Sequence, residues 1–221
     1  MDNEIRFMGR YYMAHDLNII QKTGISEPIE LFKFARNELI SGVKKSNHPF
    51  HLCTLATVNN KNAPELRTVV SRQVESSLES IIIHSDNRSS KNEQINQNPN
   101  VSLLYYSFPQ RLQIRLTGRA EVIHNSVENT RRFSESSPHA QICYAYPNTP
   151  GTDINKPTKE GLNSEINVKQ IDTIKVSALA NFSHIKTTIQ TIDLLWLNKK
   201  GHVRVFGTKD NGDWLFKFIV A

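Results

Sequence analysis

The sequence predicts a mainly β (α+β) fold, an antiparallel barrel with peripheral helices, and three observations carry that expectation. Short runs rich in Val, Ile, Leu, Thr, Phe and Tyr recur along the chain and are separated by turn-forming residues. The connections are short enough for hairpins, and no strand–helix–strand alternation of the parallel kind is visible. The 221 residues are enough to bury one sizeable core, with 22% charged residues and no internal repeat, so we read 1–221 as a single domain.

The elements follow in order. Residues 1–24 lack sustained periodicity and read as an N-terminal arm. Ser26 is the expected N-cap of a first helix with Pro28 in its first turn; Ile29, Phe32, Leu39 and Val43 recur at helical spacing before Lys44, Lys45, Asn47 and Pro49 end it. FHLCTLATV, ELRTVVSRQV and LESIIIHS then read as three consecutive antiparallel strands. A helix is expected over 88–98, closed by Pro99. VSLLYYSF and RLQIRLTGRAEVI are the next strands, and Gly118 in the second marks a bulge or a close backbone approach. Ser126 caps a short helix through Phe133. Residues 146–167 are rich in Pro, Gly, Asn, Thr and Lys and read as a mobile loop. SHIKTTIQTIDLLWL, HVRVFG and WLFKFIV close the sheet.

Composition narrows the classes. No segment reaches the roughly 20 apolar residues of a membrane-spanning helix, and MDNEIRFMGRYY has no apolar h-region, so a cytoplasmic protein without a membrane partner is expected. Cys53 and Cys143 lie in apolar contexts and read as reduced core thiols; neither has metal-ligand spacing, and no metal is expected. The net charge of +6 suits an anionic ligand, a nucleic acid or a solvated basic surface, and does not choose among them.

The segment Arg67 to Lys91 carries the chemistry. Ser89 and Ser90 open a helix beside Arg88 and Lys91, where unpaired N–H groups and the positive dipole end favour an anion. Arg67, on a strand two elements earlier, would bring a fork of donors to the same point if the strands pair. A capped helix start with solvated basic side chains accounts for the same residues.

The run RTVVSR, then IIIHSDNRSSKNEQINQNPNVSLLYY, then RLQIRLTGRAEVI, resembles the pyridoxamine 5′-phosphate oxidase-like family of FMN-binding split barrels over residues 50–123. WLFKFIVA, from Trp214, is similar to that family's closing strand. The resemblance implies an FMN-binding split β-barrel. It implies that Arg67 and Lys91, with Ser89 or Ser90, hold the FMN phosphate, and that the Arg67–Thr68–Val69–Val70 strand lies along the isoalloxazine. His84 and Ser85 match the pair flanking the ribityl chain, and Gln113 a flavin-contacting glutamine whose amide both donates and accepts. The family shares its site between two subunits of a homodimer, so Gln113, Trp196 and Arg204 would approach the flavin of the other chain. Taken singly, Trp196 also reads as core packing, Arg204 and Gln113 as ordinary strand residues, and His84 and His202 as satisfied histidines.

The departures concern the substrate. Where the authentic oxidase holds the phosphate of its vitamin substrate with a tyrosine, an arginine and a serine, Arg132, Ser136 and Ala140 stand here. Arg72 replaces a substrate-contacting lysine, and residues around Gly201 to Val203 replace a late Arg-x-His pair. The chain is therefore closer to the branch without an assigned substrate: an FMN-dependent oxidoreductase acting on a small molecule, with no residue assigned as catalytic. The competing classes are the authentic pyridoxamine/pyridoxine 5′-phosphate oxidase, a haem- or deazaflavin-binding barrel, and a basic nucleic-acid-binding barrel. Against the last, Tyr105, Tyr106 and Phe108 cluster at a strand end instead of interleaving with basic residues.

Overall fold

The computed structural model describes residues 25–154 and 171–221. The predicted N-terminal arm, and the 155–167 part of the predicted loop, lie outside the described residues. Residues 146–154 follow no helix or strand.

Eight strands form one antiparallel sheet: β1 (Leu52–Val58), β2 (Pro64–Val74), β3 (Ser80–Asp86), β4 (Asn100–Ser107), β5 (Leu112–Ile123), β6 (Phe182–Trp196), β7 (Val203–Asp210) and β8 (Asp213–Ile219). The spatial order β3-β2-β1-β4-β5-β6-β7-β8, with an added β3–β6 pairing, closes a six-stranded barrel of β1 to β6. The β7–β8 hairpin extends the sheet from the C-terminal half of β6. Period-2 alternation fills the interior with Cys53, Leu55, Val69, Ile81, Ile83, Leu103, Tyr105, Ile114, Leu116, Ile185 and Leu194.

Helix α1 (Pro28–Lys44) packs on this core. Its N-cap is Glu27, one residue later than Ser26, because the Glu30 carboxylate reaches back to accept from the N–H groups of both Ser26 (2.9 Å) and Glu27 (3.2 Å). The buried face is Leu31, Phe32, Ala35, Leu39 and Gly42, rotated from the expected one, so that Ile29 is exposed and Val43 only half-buried. Gly42 fixes that rotation: a Cβ there would lie 2.5 Å from the Phe50 carbonyl oxygen, so the helix rests directly on backbone. Phe32 packs on Phe216, with ring centroids 4.4 Å apart, which joins α1 to the closing hairpin.

Among the described residues four further helices sit at the periphery: α2 (Ser90–Gln97), α3 (Val127–Glu135), α4 (Pro138–Ile142) and α5 (Ile171–Asn181). Ser126 caps α3 as expected, accepting from the Asn129 N–H at 3.0 Å. Helices α4 and α5 have no counterpart in the sequence reading; α4 has five residues, too few for a helical period to register. Phe133 of α3, Ala178 of α5 and Phe182 at the start of β6 make a separate small apolar cluster. Cys53 is buried, but Cys143, expected in the core, is exposed at the end of α4, whose Gln141 and Ile142 turn inward instead.

Gly118 answers to both of its expected roles. The β5–β6 register shifts between Thr117 and Gly118, and a Cβ at 118 would lie 2.0 Å from the Thr188 carbonyl oxygen. Gly118→Ala is expected to destabilise the fold by about 3 kcal/mol, since the obstacle is backbone that has to move. Urea denaturation should show this drop, with Thr208→Ala on the exposed end of β7 within about 0.5 kcal/mol of wild type.

Candidate functional site

The site begins where β2 and β3 part. Their ladder runs from Val74↔Ile81 to Ser71↔Ile83 and stops, while β3 stays paired to β6 as far as Asp86↔Phe182. The Ser71 N–H donates to the His51 carbonyl on the β1 side. Backbone groups alternate along a strand, so those of Thr68 and Val70 point the other way, into the gap left by β3. Helix α2 starts at that gap, placing its first-turn N–H groups at the rim of the barrel.

Arg67 points into the rim from β2. One guanidinium nitrogen donates to Thr57 Oγ1 and to the Glu65 carbonyl (3.1 Å), the other to Gln94 Oε1 (3.1 Å) and Glu65 Oε2 (3.3 Å). Gln94 Nε2 donates in turn to Glu65 Oε2 at 2.8 Å, so the strand, its hairpin partner and α2 are tied together around the guanidinium. Lys91, half-buried, donates from Nζ to Ser89 Oγ at 2.8 Å. Burial and the nearby Arg67 charge push the lysine below its ordinary value, against the pull of Asp86. Burial likewise lowers Arg67, against Glu65. Two cations held close together and partly out of water are stabilised by an incoming anion.

The remaining predicted residues divide sharply. Ser90 is exposed at the first position of α2 and free to face a ligand, whereas Ser89 and Ser85 are buried in packing. Ser89 Oγ donates to the Asp86 carbonyl (2.6 Å) and lies 3.1 Å from Ser85 Oγ; Ser85 donates to Asn92 Oδ1 (2.9 Å), and Asn92 donates to Ser183 Oγ (2.8 Å). That lattice fastens α2 to β3 and β6. Arg88 turns away from the rim: it forks the Asp86 carboxylate and donates to the carbonyls of Tyr146 (2.9 Å) and Pro147 (3.1 Å). It is thus a strut for the following loop, and not part of the anion cradle as its place in the sequence implied.

On β2, Val69 faces the core while Thr68 and Val70 face outward. His84 lies on the opposite face of β3 from Ser85, as adjacent strand residues must. Its ring stands edge-on to Phe182 at 4.9 Å and lines a cavity of about 450 Å³ bounded also by Lys44, Arg72, Arg131, Arg132 and Ser136. Arg132, buried, donates to Glu128 Oε1 (3.0 and 2.7 Å) and to Gln73 Oε1 (2.9 Å).

Gln113, Trp196 and Arg204 are not brought to this group. Gln113 stands three strands from β2 in either direction round the barrel, and Arg204, on β7, is also three strands away by way of the β3–β6 pairing. At ~4.8 Å per strand each is about 14 Å away along the barrel wall. Trp196 faces inward and is buried among Leu112, Leu194 and Val205. Thr57, Glu65 and Gln94 were not singled out from the sequence, although Glu65 shares a strand face with Arg67 and Gln94 a helix face with Lys91. Among the described residues no His, Cys, Asp and Glu cluster fits a metal, and no helix is long and apolar enough to cross a membrane.

The buried histidines set a pH dependence. Burial, then the charges of Arg72, Arg132 and His184, press His84 down to about 3; burial, then Arg132, presses His184 down to about 4 against Glu128. Both are neutral in the fold and gain a proton more readily when unfolded, so their contribution is complete above pH ~6.5 and is lost as the pH falls toward their folded values. Urea midpoints measured from pH 7 to 4.5 should fall, each histidine adding at most about 1.4 kcal/mol per pH unit. His84→Gln should flatten the slope.

Comparison with known proteins bears on the fold. Residues 33–124 match the sequence family described as pyridoxamine 5′-phosphate oxidase, FMN-binding domain. Pyridoxine/pyridoxamine 5′-phosphate oxidase 2 of Arabidopsis thaliana is 29% identical over 126 residues, which are 53% of this chain and 63% of that relative's length. A pyridoxamine 5′-phosphate oxidase-related, FMN-binding protein of Nostoc punctiforme PCC 73102 shares the fold at a TM-score of 0.66 and 21% identity, over 86% of this chain and 97% of its own. PhzG of Burkholderia lata 383, solved with tetrahydrophenazine-1-carboxylic acid, superposes at 0.63 and 16% identity, over 91% and 96% of the two chains. Residues 33–124 thus resemble the FMN-binding domain of pyridoxamine 5′-phosphate oxidase in sequence, and the chain shares the split-barrel fold of the two solved proteins.

Proposed function

We propose that this chain binds FMN and works as an FMN-dependent oxidoreductase on a small molecule, as a cytoplasmic, single-domain homodimer. The observation that carries the reading is the pair Arg67 and Lys91, half-buried together at the start of α2 beside the open edge of β2. In this reading they hold the phosphate with Ser90 and the first N–H groups of α2, and Thr68 and Val70 offer backbone donors and acceptors to the polar edge of the ring. Bound FMN would supply the hydride or electron chemistry. The chain's residues bind and orient.

The homodimer is supported by the outward face of the barrel. Leu52, Leu66, Leu104 and Tyr106 are 39–68% exposed there. They lie between Thr68 and Val70 on one side and Gln113 and Arg204 on the other: Thr68, Thr54, Leu104 and Arg115 form one cross-strand rung, and Tyr106, Gln113, Leu195 and Arg204 another. Gln113 and Arg204 lie on this outward rung, three strands from their own chain's β2, and a second copy seated on this apolar face would bring its own Gln113 and Arg204 to the site. The cavity lined by Lys44, Arg72, Arg131 and Arg132 favours a substrate that carries an anionic group.

The purified protein should be yellow, with flavin bands near about 450 nm; a haem Soret band in their place would refute the cofactor assignment. Arg67→Ala and Lys91→Ala should each weaken FMN binding roughly 10- to 100-fold in a fluorescence titration, the loss expected of one charge-assisted contact. Leu104→Glu should yield a monomer by light scattering and lower FMN occupancy with it. Turnover of pyridoxamine 5′-phosphate under oxygen tests separately for the authentic oxidase.

A further inference from the structure

Asp193 is a buried carboxylate in the middle of the otherwise apolar IDLLW stretch of β6, with 4% of its surface exposed. Two cations converge on it. Arg204 donates through Nε to Oδ1 (2.9 Å) and through a terminal nitrogen to Oδ2 (2.7 Å), and Arg115 donates to Oδ2 from the neighbouring strand. Burial pushes Asp193 up, but the hydrogen bonds and charges of the two arginines outweigh it and hold the carboxyl below its ordinary value. One carboxylate between two guanidinium groups leaves a net positive charge. A fork using Nε and one terminal nitrogen leaves the other terminal nitrogen of Arg204 without a bond from Asp193.

The fork also fixes direction. Leu195 pairs with Gln113 on one side and with Arg204 on the other, so the glutamine and the arginine are two strands apart on one outward rung, about 10 Å at ~4.8 Å per strand. That spacing is comparable to the length of a tricyclic ring. An unrestrained arginine on an outer strand samples many rotamers, and ordering it costs about 2 kcal/mol of side-chain entropy. Arg204 is ordered in advance by the carboxylate beneath it.

We propose that Asp193 is a positioning residue: it aims Arg204, with Arg115 braced beside it, across the dimer interface at the flavin held by the other copy. The inference rests on the shared-site reading of the previous section. Positioning and simple charge balance predict opposite signs, which makes the idea testable. Asp193→Asn adds one positive charge near an anionic cofactor, so charge alone predicts tighter FMN binding. Loss of the fork predicts weaker binding.

The experiment is a fluorescence titration of FMN into the full-length apo-dimer of wild type, Asp193→Asn, Arg204→Gln and the double variant, each checked for dimer mass. Asp193→Asn is expected to weaken binding roughly tenfold, with the double variant no worse than Arg204→Gln alone because the two act as one unit. Visible-region circular dichroism of the flavin at saturating FMN should change in Asp193→Asn, as a merely structural role would not require. If the asparagine variant fails to fold, Asp193→Glu keeps the charge and lengthens the arm: positioning predicts an affinity below wild type, charge balance predicts the wild-type value. Weakened binding in Arg204→Gln with unchanged or tighter binding in Asp193→Asn, or in Asp193→Glu, overturns the role of Asp193 alone. Unchanged binding in Arg204→Gln removes the shared site on which the proposal stands.

Discussion

The rest of the structure depends on one break in hydrogen bonding, the point where β2 leaves β3 at Ser71↔Ile83. A continuous ladder would have sealed the barrel and left no backbone edge for a ligand. With the ladder stopped, β3 remains anchored through β6 and β2 through β1, so neither strand is lost to solvent. Helix α2 starts at the opening and is held there by the buried lattice of Ser85, Ser89, Asn92 and Ser183. The unpaired edge groups of β2 face this opening, beside Arg67, Lys91 and the first turn of α2.

The charges around the opening are arranged in layers. Arg67 is restrained by Thr57, Glu65 and Gln94, and Lys91 by Ser89, so both cations are ordered before any ligand arrives. Arg88 spends its guanidinium on Asp86 and on two carbonyls of the segment after α4. The turn that carries Ser89 and Lys91 is thereby joined to the segment that follows α4, and Ala140 of α4 lines the neighbouring basic cavity with Ser136 and Ser137. On the far wall of the barrel the same economy recurs, with Asp193 restraining Arg115 and Arg204.

Much of the fold was legible in advance because hairpins and alternation are local properties. The strands near residues 52–58, 64–74, 80–86, 100–107 and 112–123 follow from period-2 patterning between turn residues, and Gly118 from its position inside such a pattern. The rotation of α1 was not, because it is set by Gly42 meeting the Phe50 backbone, a contact between elements. Helices α4 and α5 were missed, one being too short to show a period and the other lacking a distinct apolar face. His84 and Ser85 show a limit that alternation itself imposes: as neighbours on a strand they serve opposite faces, and Ser85 joined the α2 lattice while His84 entered the basic cavity.

By itself, the sequence determined the strand set, the helix start at Ser89 to Lys91 and the family signature, because residue type and spacing act over a few positions. Only the tertiary structure decided which charges converge. That Arg67 meets Gln94, that Arg88 leaves the cradle for Tyr146 and Pro147, and that Asp193 binds two arginines from flanking strands are consequences of register and barrel closure. Registers are fixed by packing between distant segments, and local pattern specifies which side a residue faces without specifying what it will face there.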